Sequence, residues 1–206
     1  MIAIIDYGVG NLFSLRSSLA MIGADVTVTC DPDEIRRADK LLLPGVGAFA
    51  DAAKKLRENG LDRVIVEEAQ NGKPLLGICL GMQLLFDKSY EYGEHQGLGL
   101  IPGAILPFEG VLPKQYKIPH IGWNALQISQ KSPLFTHVAQ GEHVYFVHSY
   151  HAACEQVEDI AALSEYGMRF TAAVARGNVM GCQFHPEKSG KTGLNILRGF
   201  CETEAK

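Results

Sequence analysis

At 206 residues, with 47% hydrophobic and 20% charged side chains and a net charge of −4, the chain has the size and composition of one domain with a substantial core. That balance carries no bias toward nucleic acid or an anionic membrane, and no apolar run approaches membrane-spanning length. The five cysteines (Cys30, Cys79, Cys154, Cys182, Cys201) are odd in number and form no C-x-x-C pair, which fits a reducing cytoplasm better than a disulfide framework.

Ile2 to Ile5 form an apolar strand ending at Asp6, with no basic start, so this is a strand rather than a signal peptide. Tyr7-Gly-Val-Gly-Asn11 is a turn in which Asn11 can cap the following helix, whose face is Leu12, Leu15, Leu19 and Ile22. Gly8-x-Gly10 lacks the third glycine of a dinucleotide fingerprint, so a plain βα turn, or a turn facing a partner, is the better reading. Ala24 to Thr29 form a second strand, Asp31-Pro-Asp-Glu a short helical turn, and Lys40 to Pro44 a third strand. Gly45-Val-Gly47 leads into a helix with Phe49, Ala52, Ala53 and Leu56 on one face. A second helix, marked by Leu61, Val64, Ile65 and Ala69, closes at Asn71-Gly72. Leu75 to Ile78 read as a buried strand and Leu80 to Phe86 as a helix. Strands and helices alternating at this spacing mean βαβ units and a parallel sheet.

The second half changes character. Gly97 to Ser129 is rich in Gly and Pro, His143 to Ala152 alternate, and Thr171 to Met180 form a hairpin turning at Arg176-Gly-Asn178. More antiparallel structure is expected here. A last helix begins near Ser189, with Leu194, Leu197 and Cys201 on one face.

The chemistry concentrates at Gly77-Ile-Cys-Leu-Gly81. A sharp strand-to-helix turn holds its central residue strained and presents that side chain above the sheet. The free N–H groups of the next helix would point at the thiol and favour thiolate, and the Leu80 N–H could stabilise an oxyanion. Locally, an inert core thiol fits equally well. Ligands and substrates gather beyond the carboxyl ends of parallel strands, however, where Asp6, Gly45 and Cys79 all fall, and this favours a reactive Cys79. A second candidate lies in Gly181-Cys-Gln-Phe-His-Pro-Glu187. If Val179 to His185 is extended, His185 and Glu187 project to the same side, the carboxylate fixing the imidazole for work on a thiol. Strand alternation points His148 and His151 to opposite faces, against a shared metal site.

Pro44-Gly-Val-Gly47, Gly77-Ile-Cys-Leu-Gly-Met-Gln83 and Phe184-His-Pro-Glu187, in this order, resemble the class I (triad) glutamine amidotransferases over almost the whole chain. The resemblance implies a mixed, mostly parallel sheet flanked by helices, as a single domain over 1–206, with glutamine as substrate and no metal or organic cofactor. It makes Cys79 the nucleophile, His185 the general base and acid, and Glu187 its orienting residue. Gly47 and Leu80 then supply the oxyanion hole, once the Gly45-Val46 peptide is suitably turned, and Gln83, Glu91, Ser149 and Tyr150 hold glutamine.

Finer motifs are similar to one branch of that family. These are Asp6-Tyr-Gly-Val-Gly-Asn-Leu12, Pro44-Gly-Val-Gly-Ala-Phe49, Pro119-His-Ile-Gly-Trp-Asn124, Tyr145-Phe-Val-His-Ser-Tyr150 and Phe184-His-Pro-Glu-Lys-Ser189. The branch is the glutaminase subunits that pass ammonia to a separate (βα)8-barrel cyclase making imidazole glycerol phosphate and AICAR in histidine biosynthesis. The expected partner-facing residues are Asn11, Pro119, Ile121, Trp123, Tyr145 and Lys188, with a core position as the other reading of Trp123. An amidotransferase subunit of an anthranilate or aminodeoxychorismate synthase, or a cysteine hydrolase on a related fold, remains as an alternative.

Overall fold

The structure is a computed structural model that describes residues 1–204; the domain expected over 1–206 therefore ends in two residues outside the described part. The first half runs β1 (Ile2–Ile5), α1 (Leu12–Met21), β2 (Val26–Thr29), α2 (Pro32–Arg37), β3 (Lys40–Gly45), α3 (Phe49–Glu58), α4 (Leu61–Gln70), β4 (Leu75–Cys79) and α5 (Leu80–Leu84). The second half is richer in strands: β5 (Phe86–Ser89), β6 (His95–Gln96), β7 (Ile101–Pro107), β8 (His120–Ala125), β9 (Gln127–Ile128), β10 (His143–His148) and β11 (Tyr150–Cys154). After these come β12 (Ile160–Glu165), β13 (Arg169–Arg176), β14 (Val179–Cys182) and α6 (Gly190–Cys201).

The main sheet is mixed, in the order β2-β1-β3-β4-β14-β13-β11-β7-β5-β6, with β12 and β9 branching from β13. The stretch from β2 to β14 is parallel, and β14 turns back on β13 through the expected hairpin, Arg176 facing Val179. β1, β3 and β4 are apolar almost throughout because helices cover both of their faces. Ala3, Ile5, Leu41, Leu43 and Leu75 point to the side covered by α3 and α4. Ile2, Ile4, Leu42, Leu76 and Ile78 point to the side covered by α1 and α6. The predicted faces of α3 and α4 are the buried ones, residue for residue. β8 and β10 form a separate antiparallel pair.

Several local expectations are corrected. Asn11 occupies the N-cap position of α1, but its side chain caps nothing. The helix after Cys79 ends at Leu84, not Phe86. The chain turns at once into β5, whose pairing with β7 takes Phe86 into the sheet. The run from His143 to Ala152 breaks at Ser149, because β10 pairs with β8 whereas β11 joins the main sheet beside β7. The buried ridge of α6 is Gly193, Ile196, Leu197 and Phe200; Leu194 and Cys201 are half-buried at its margin.

Glycines bring α5 close enough to the sheet to continue straight from β4. A Cβ on Gly77 would sit 2.7 Å from the Gly81 carbonyl carbon, one on Gly45 2.9 Å from the Gly81 nitrogen, and one on Gly81 would fall on the Leu43 carbonyl oxygen. A backbone neighbour cannot step aside as a side chain can. Gly81→Ala should therefore cost about 3 kcal/mol or more, the upper end of overpacking penalties. Gly23, at φ +75° with open space around it, should lose only about 1–2 kcal/mol on the same change, from its left-handed backbone alone. Urea denaturation of the two variants checks both expectations.

Candidate active site

Cys79 is the last residue of β4 and adopts φ 55°, ψ −111°. Positive φ in a non-glycine residue is a strained conformation costing on the order of 1–3 kcal/mol, kept where the surroundings over-determine it. Here the surroundings are the glycine contacts below it and the pairing of Cys79 with Gly45 on β3. α5 is only five residues long, so the donors near the sulfur are its first few N–H groups rather than a long helix dipole.

His185 comes from the neighbouring strand. β14 pairs parallel with β4 in the register Cys182 to Ile78, and the chain continues three residues further at the same end of the sheet. Glu187 is not on that strand: it lies in a 3-10 turn, Pro186–Lys188, that folds the carboxylate back beneath the ring. The resulting contact is the one expected, His185 Nδ1 to Glu187 Oε1 at 2.8 Å, with both side chains only 3% exposed. Burial acts to lower the His185 pKa. The hydrogen bonds to Cys79 and Glu187 and the charges of those two groups outweigh it and raise the pKa to about 9. The imidazolium is thus the form this site stabilises, with a sulfur on one side and a carboxylate on the other.

The surrounding polar groups form one connected chain. Gln83 Nε2 donates to Gln183 Oε1 at 2.9 Å and to the Tyr150 carbonyl at 3.5 Å. Gln183, fully buried, turns its own Nε2 to the Cys79 sulfur at 3.7 Å. His148 Nδ1 donates to the same Tyr150 carbonyl at 2.8 Å. Burial pushes His148 down to about 3, so it stays neutral. Because the strand breaks at Ser149, His148 and His151 do not diverge: both rings lie against Phe108, at 5.1 and 5.0 Å. Among the described residues no three His, Cys, Asp or Glu side chains converge as metal ligands.

A cavity of about 340 Å³ opens over the sulfur, lined by Val46, Gly47, Cys79, Leu80, Gln83, Glu91, Tyr92, Pro119, Val147, His148, Ser149, Tyr150 and His185. It gathers all four residues expected to hold glutamine and both expected oxyanion donors. Gly47 has φ 93°, a conformation that suits glycine. Glu91 reaches further than the motif implied: its Oε2 accepts from the Phe49 N–H at 2.6 Å, tying the 90–94 turn to the start of α3 and to the Gly45-Val-Gly47 loop. A larger groove of about 990 Å³ between β9 and the end of α6 has no cysteine or histidine in its lining.

Of the six residues expected to face a partner, Pro119 lines this cavity. Ile121 and Trp123 on β8 are 58% and 53% exposed, so Trp123 is no core residue. Trp123 pairs in register with Tyr145 on β10, their rings 5.8 Å apart. Lys188 and Pro119 are exposed, and half-buried Asn11 borders Pro44-Gly-Val46 and Glu187. Sequence reasoning assigned nothing to Gln183 and Tyr7. Tyr7 donates to the Pro44 carbonyl at 2.8 Å beneath the Gly45 loop, its phenol kept neutral by burial and by the nearby Cys79. For Gln183 the signal was available, since it stands two residues before His185, on the same side of an extended chain.

The raised His185 pKa gives a signed expectation. A group that binds its proton more tightly when folded contributes stability that is complete below its unfolded pKa, near 6.5, and is lost as pH climbs through about 9. The depressed His120, His148 and His151 bind protons in the unfolded chain near pH 6.5 and oppose this at the low end; about one unit higher they are neutral, folded or unfolded. The urea midpoint should thus fall between about pH 7.5 and 9. The His185 ring titration, followed by NMR, should move back toward 6.5 in Glu187→Gln.

The model of the family Glutamine amidotransferase class-I matches residues 3–203. An imidazole glycerol phosphate synthase subunit HisH of Wolinella succinogenes is 48% identical over 203 residues, covering 98% of this chain and 99% of that protein. The subunit of the same name from Bacillus cereus is 52% identical over 200 residues, 97% of this chain and 93% of that one. Among solved structures, one described as a glutamine amidotransferase superimposes with a TM-score of 0.76 over 98% of each chain, at 18% identity, a likeness of fold alone. A match over nearly the full length, with about half of all residues identical, means that the chain belongs to the class I glutamine amidotransferases, in the HisH subunit family.

Proposed function

We propose that this chain is the glutaminase subunit of imidazole glycerol phosphate synthase, a single domain that hydrolyses glutamine and passes the ammonia to a cyclase subunit. The observation that carries the chemistry is the buried line Cys79, His185, Glu187 at the carboxyl ends of adjacent parallel strands. The Cys79 sulfur attacks the side-chain carboxamide carbon of glutamine. The negative oxygen that forms is held by the Leu80 and Gly47 N–H groups, the second only once the Gly45-Val46 peptide is turned. The His185 imidazolium gives its proton to the departing nitrogen, and ammonia leaves a γ-glutamyl thioester. Water then adds, with neutral His185 taking its proton, and glutamate is released, its acid proton passing to solvent, as the Cys79 thiolate and His185 imidazolium are restored. Gln83, Glu91, Ser149 and Tyr150 orient the substrate in the cavity. No resident cofactor enters these steps.

The names of the relatives support a synthase partner, and we infer that it is a (βα)8-barrel cyclase docking on Asn11, Pro119, Ile121, Trp123, Tyr145 and Lys188. No described helix is long and apolar enough to cross a membrane, and five free thiols suit the cytoplasm, where we place the complex with no role for nucleic acid. The anthranilate and aminodeoxychorismate readings have no observation in their favour.

Glutamate and ammonia release, measured with and without a HisH-type cyclase partner and its nucleotide substrate, tests the function. Release should be slow alone and rise by about 10²–10³ in the complex, the range associated with one oxyanion donor. It should vanish in Cys79→Ala and His185→Ala with circular dichroism unchanged; normal release from Cys79→Ala sinks the assignment.

Trp123→Ala tests the docking face. A ring already half exposed should cost well under the ~3–5 kcal/mol of a core aromatic, so the melt should scarcely move. Affinity for the cyclase should fall by tenfold or more, as for a buried anchor.

A further inference from the structure

We infer that Gln183 is a further catalytic residue, whose carboxamide N–H donates to the Cys79 sulfur and stabilises the thiolate opposite His185. The inference rests on the reading of Cys79 as nucleophile. Its direction follows from the hydrogen-bond chain. The Tyr150 carbonyl can only accept, so Gln83 must turn its NH₂ toward it. The same NH₂ lies 2.9 Å from Gln183, which must present its oxygen there. The Gln183 NH₂ is thereby left aimed at the sulfur, at 3.7 Å. Gln183 is 0% exposed, so no bulk water competes for its carboxamide, whose place is held by the Gln83 contact.

This geometry does two things for the chemistry. A donor to an anion is among the stronger hydrogen bonds in a protein, and here it acts in a water-poor site. It would hold the thiolate in place before attack and receive it again when the thioester is hydrolysed, while the other end of the same carboxamide fixes Gln83 at the cavity wall. Neutrality suits the position. A cation there would compete with the His185 imidazolium for the sulfur, and a carboxylate would repel it.

Two substitutions separate the roles in the full-length chain. Gln183→Met removes both hydrogen bonds without burying a charge. Gln183→Glu keeps an acceptor for Gln83 and, where it is ionised, replaces the donor to sulfur with a carboxylate oxygen. The rate of iodoacetamide alkylation at Cys79 is followed against pH, with peptide mass spectrometry to distinguish the other four cysteines. The half-maximal pH should move upward by about one unit or more in Gln183→Met, the tenfold or greater effect of one hydrogen bond to a charged group. In complex with the cyclase, Gln183→Glu should lose glutaminase kcat by tenfold or more with KM nearly unchanged, because the Gln83 clamp survives. An alkylation profile superimposable on the parent in folded Gln183→Met overturns the inference.

Should neither variant fold, the unaltered protein still decides. With side-chain ¹⁵N labelling, the Gln183 carboxamide signal should move with pH in step with Cys79 alkylation and cease to do so in Cys79→Ala; a signal indifferent to both overturns the inference. The alkylation comparison does not depend on turnover. A parent protein that releases no ammonia from glutamine would refute the proposed function while the Gln183 result stood on its own.

Discussion

The active site depends on how closely α5 can lie on β3 and β4. Gly77, Gly81 and Gly45 leave no space between helix and sheet that a methyl group could enter. That contact lets the chain pass from the strand straight into the helix, and the last strand residue, Cys79, is forced to positive φ. The strain at Cys79 is therefore a consequence of packing, offset by the core that forms around it. Its effect is positional: the side chain can project only outward over the carboxyl end of the sheet, beside the first N–H groups of α5. The short helix follows from the same constraint, because β5 must leave promptly to pair with β7.

A second organising element is one carbonyl oxygen. Tyr150 O accepts from Gln83 and from His148, and through Gln83 its orientation passes to Gln183 and on to the sulfur. The carbonyl lies just past Ser149, where the strand run breaks and the chain leaves the β8–β10 pair for the main sheet. The break therefore places a backbone acceptor, and the residues expected to touch glutamine, at the seam between two sheets. A neutral, buried His148 suits that place, since a charged ring among Phe108, Phe146 and Phe170 would lack solvation.

Much of this was legible in the sequence because it follows from periodicity and glycine. The parallel half, the buried faces of α3 and α4, the elbow and the hairpin at Gly177-Asn178 are local patterns with local causes. What escaped depends on pairing between distant segments. The alternation from His143 to Ala152 is continuous in sequence, and only the choice of partners, β8 for one part and β7 for the other, shows why it breaks. The His185–Glu187 contact was foreseen, but by a different route: Pro186 starts a 3-10 turn, and the turn, not a shared strand face, brings the carboxylate to the ring. Asn11 has the residue type of a cap and the position of one, yet its side chain is turned to other surroundings. Gln183 stands two residues before His185 but was passed over because a glutamine has no titration to betray it; which way its amide faces is set through Gln83 by Tyr150, far away in the chain.

The same geometry joins the exposed aromatic face to the chemistry. The Tyr145 carbonyl accepts the His185 N–H at 3.0 Å, and the Tyr145 N–H donates to Ser189 Oγ, which in turn donates to the His185 carbonyl at 2.6 Å. The backbone that carries the His185 imidazole is thus clasped by the backbone that carries Tyr145, and Tyr145 packs its ring on exposed Trp123. Pressure on that face would reach His185 through two peptide units, with no rearrangement of the core. On the opposite rim, the 90–94 turn holds the Phe49 N–H through Glu91, and so steadies the end of the Gly45-Val-Gly47 loop while leaving Val46 41% exposed. The imidazole is therefore clasped firmly and the oxyanion loop only at its ends. A partner that covers both rims has one part of the machinery already assembled and one left to turn. On the proposed docking, control of ammonia release would require movement of a single peptide rather than of the domain.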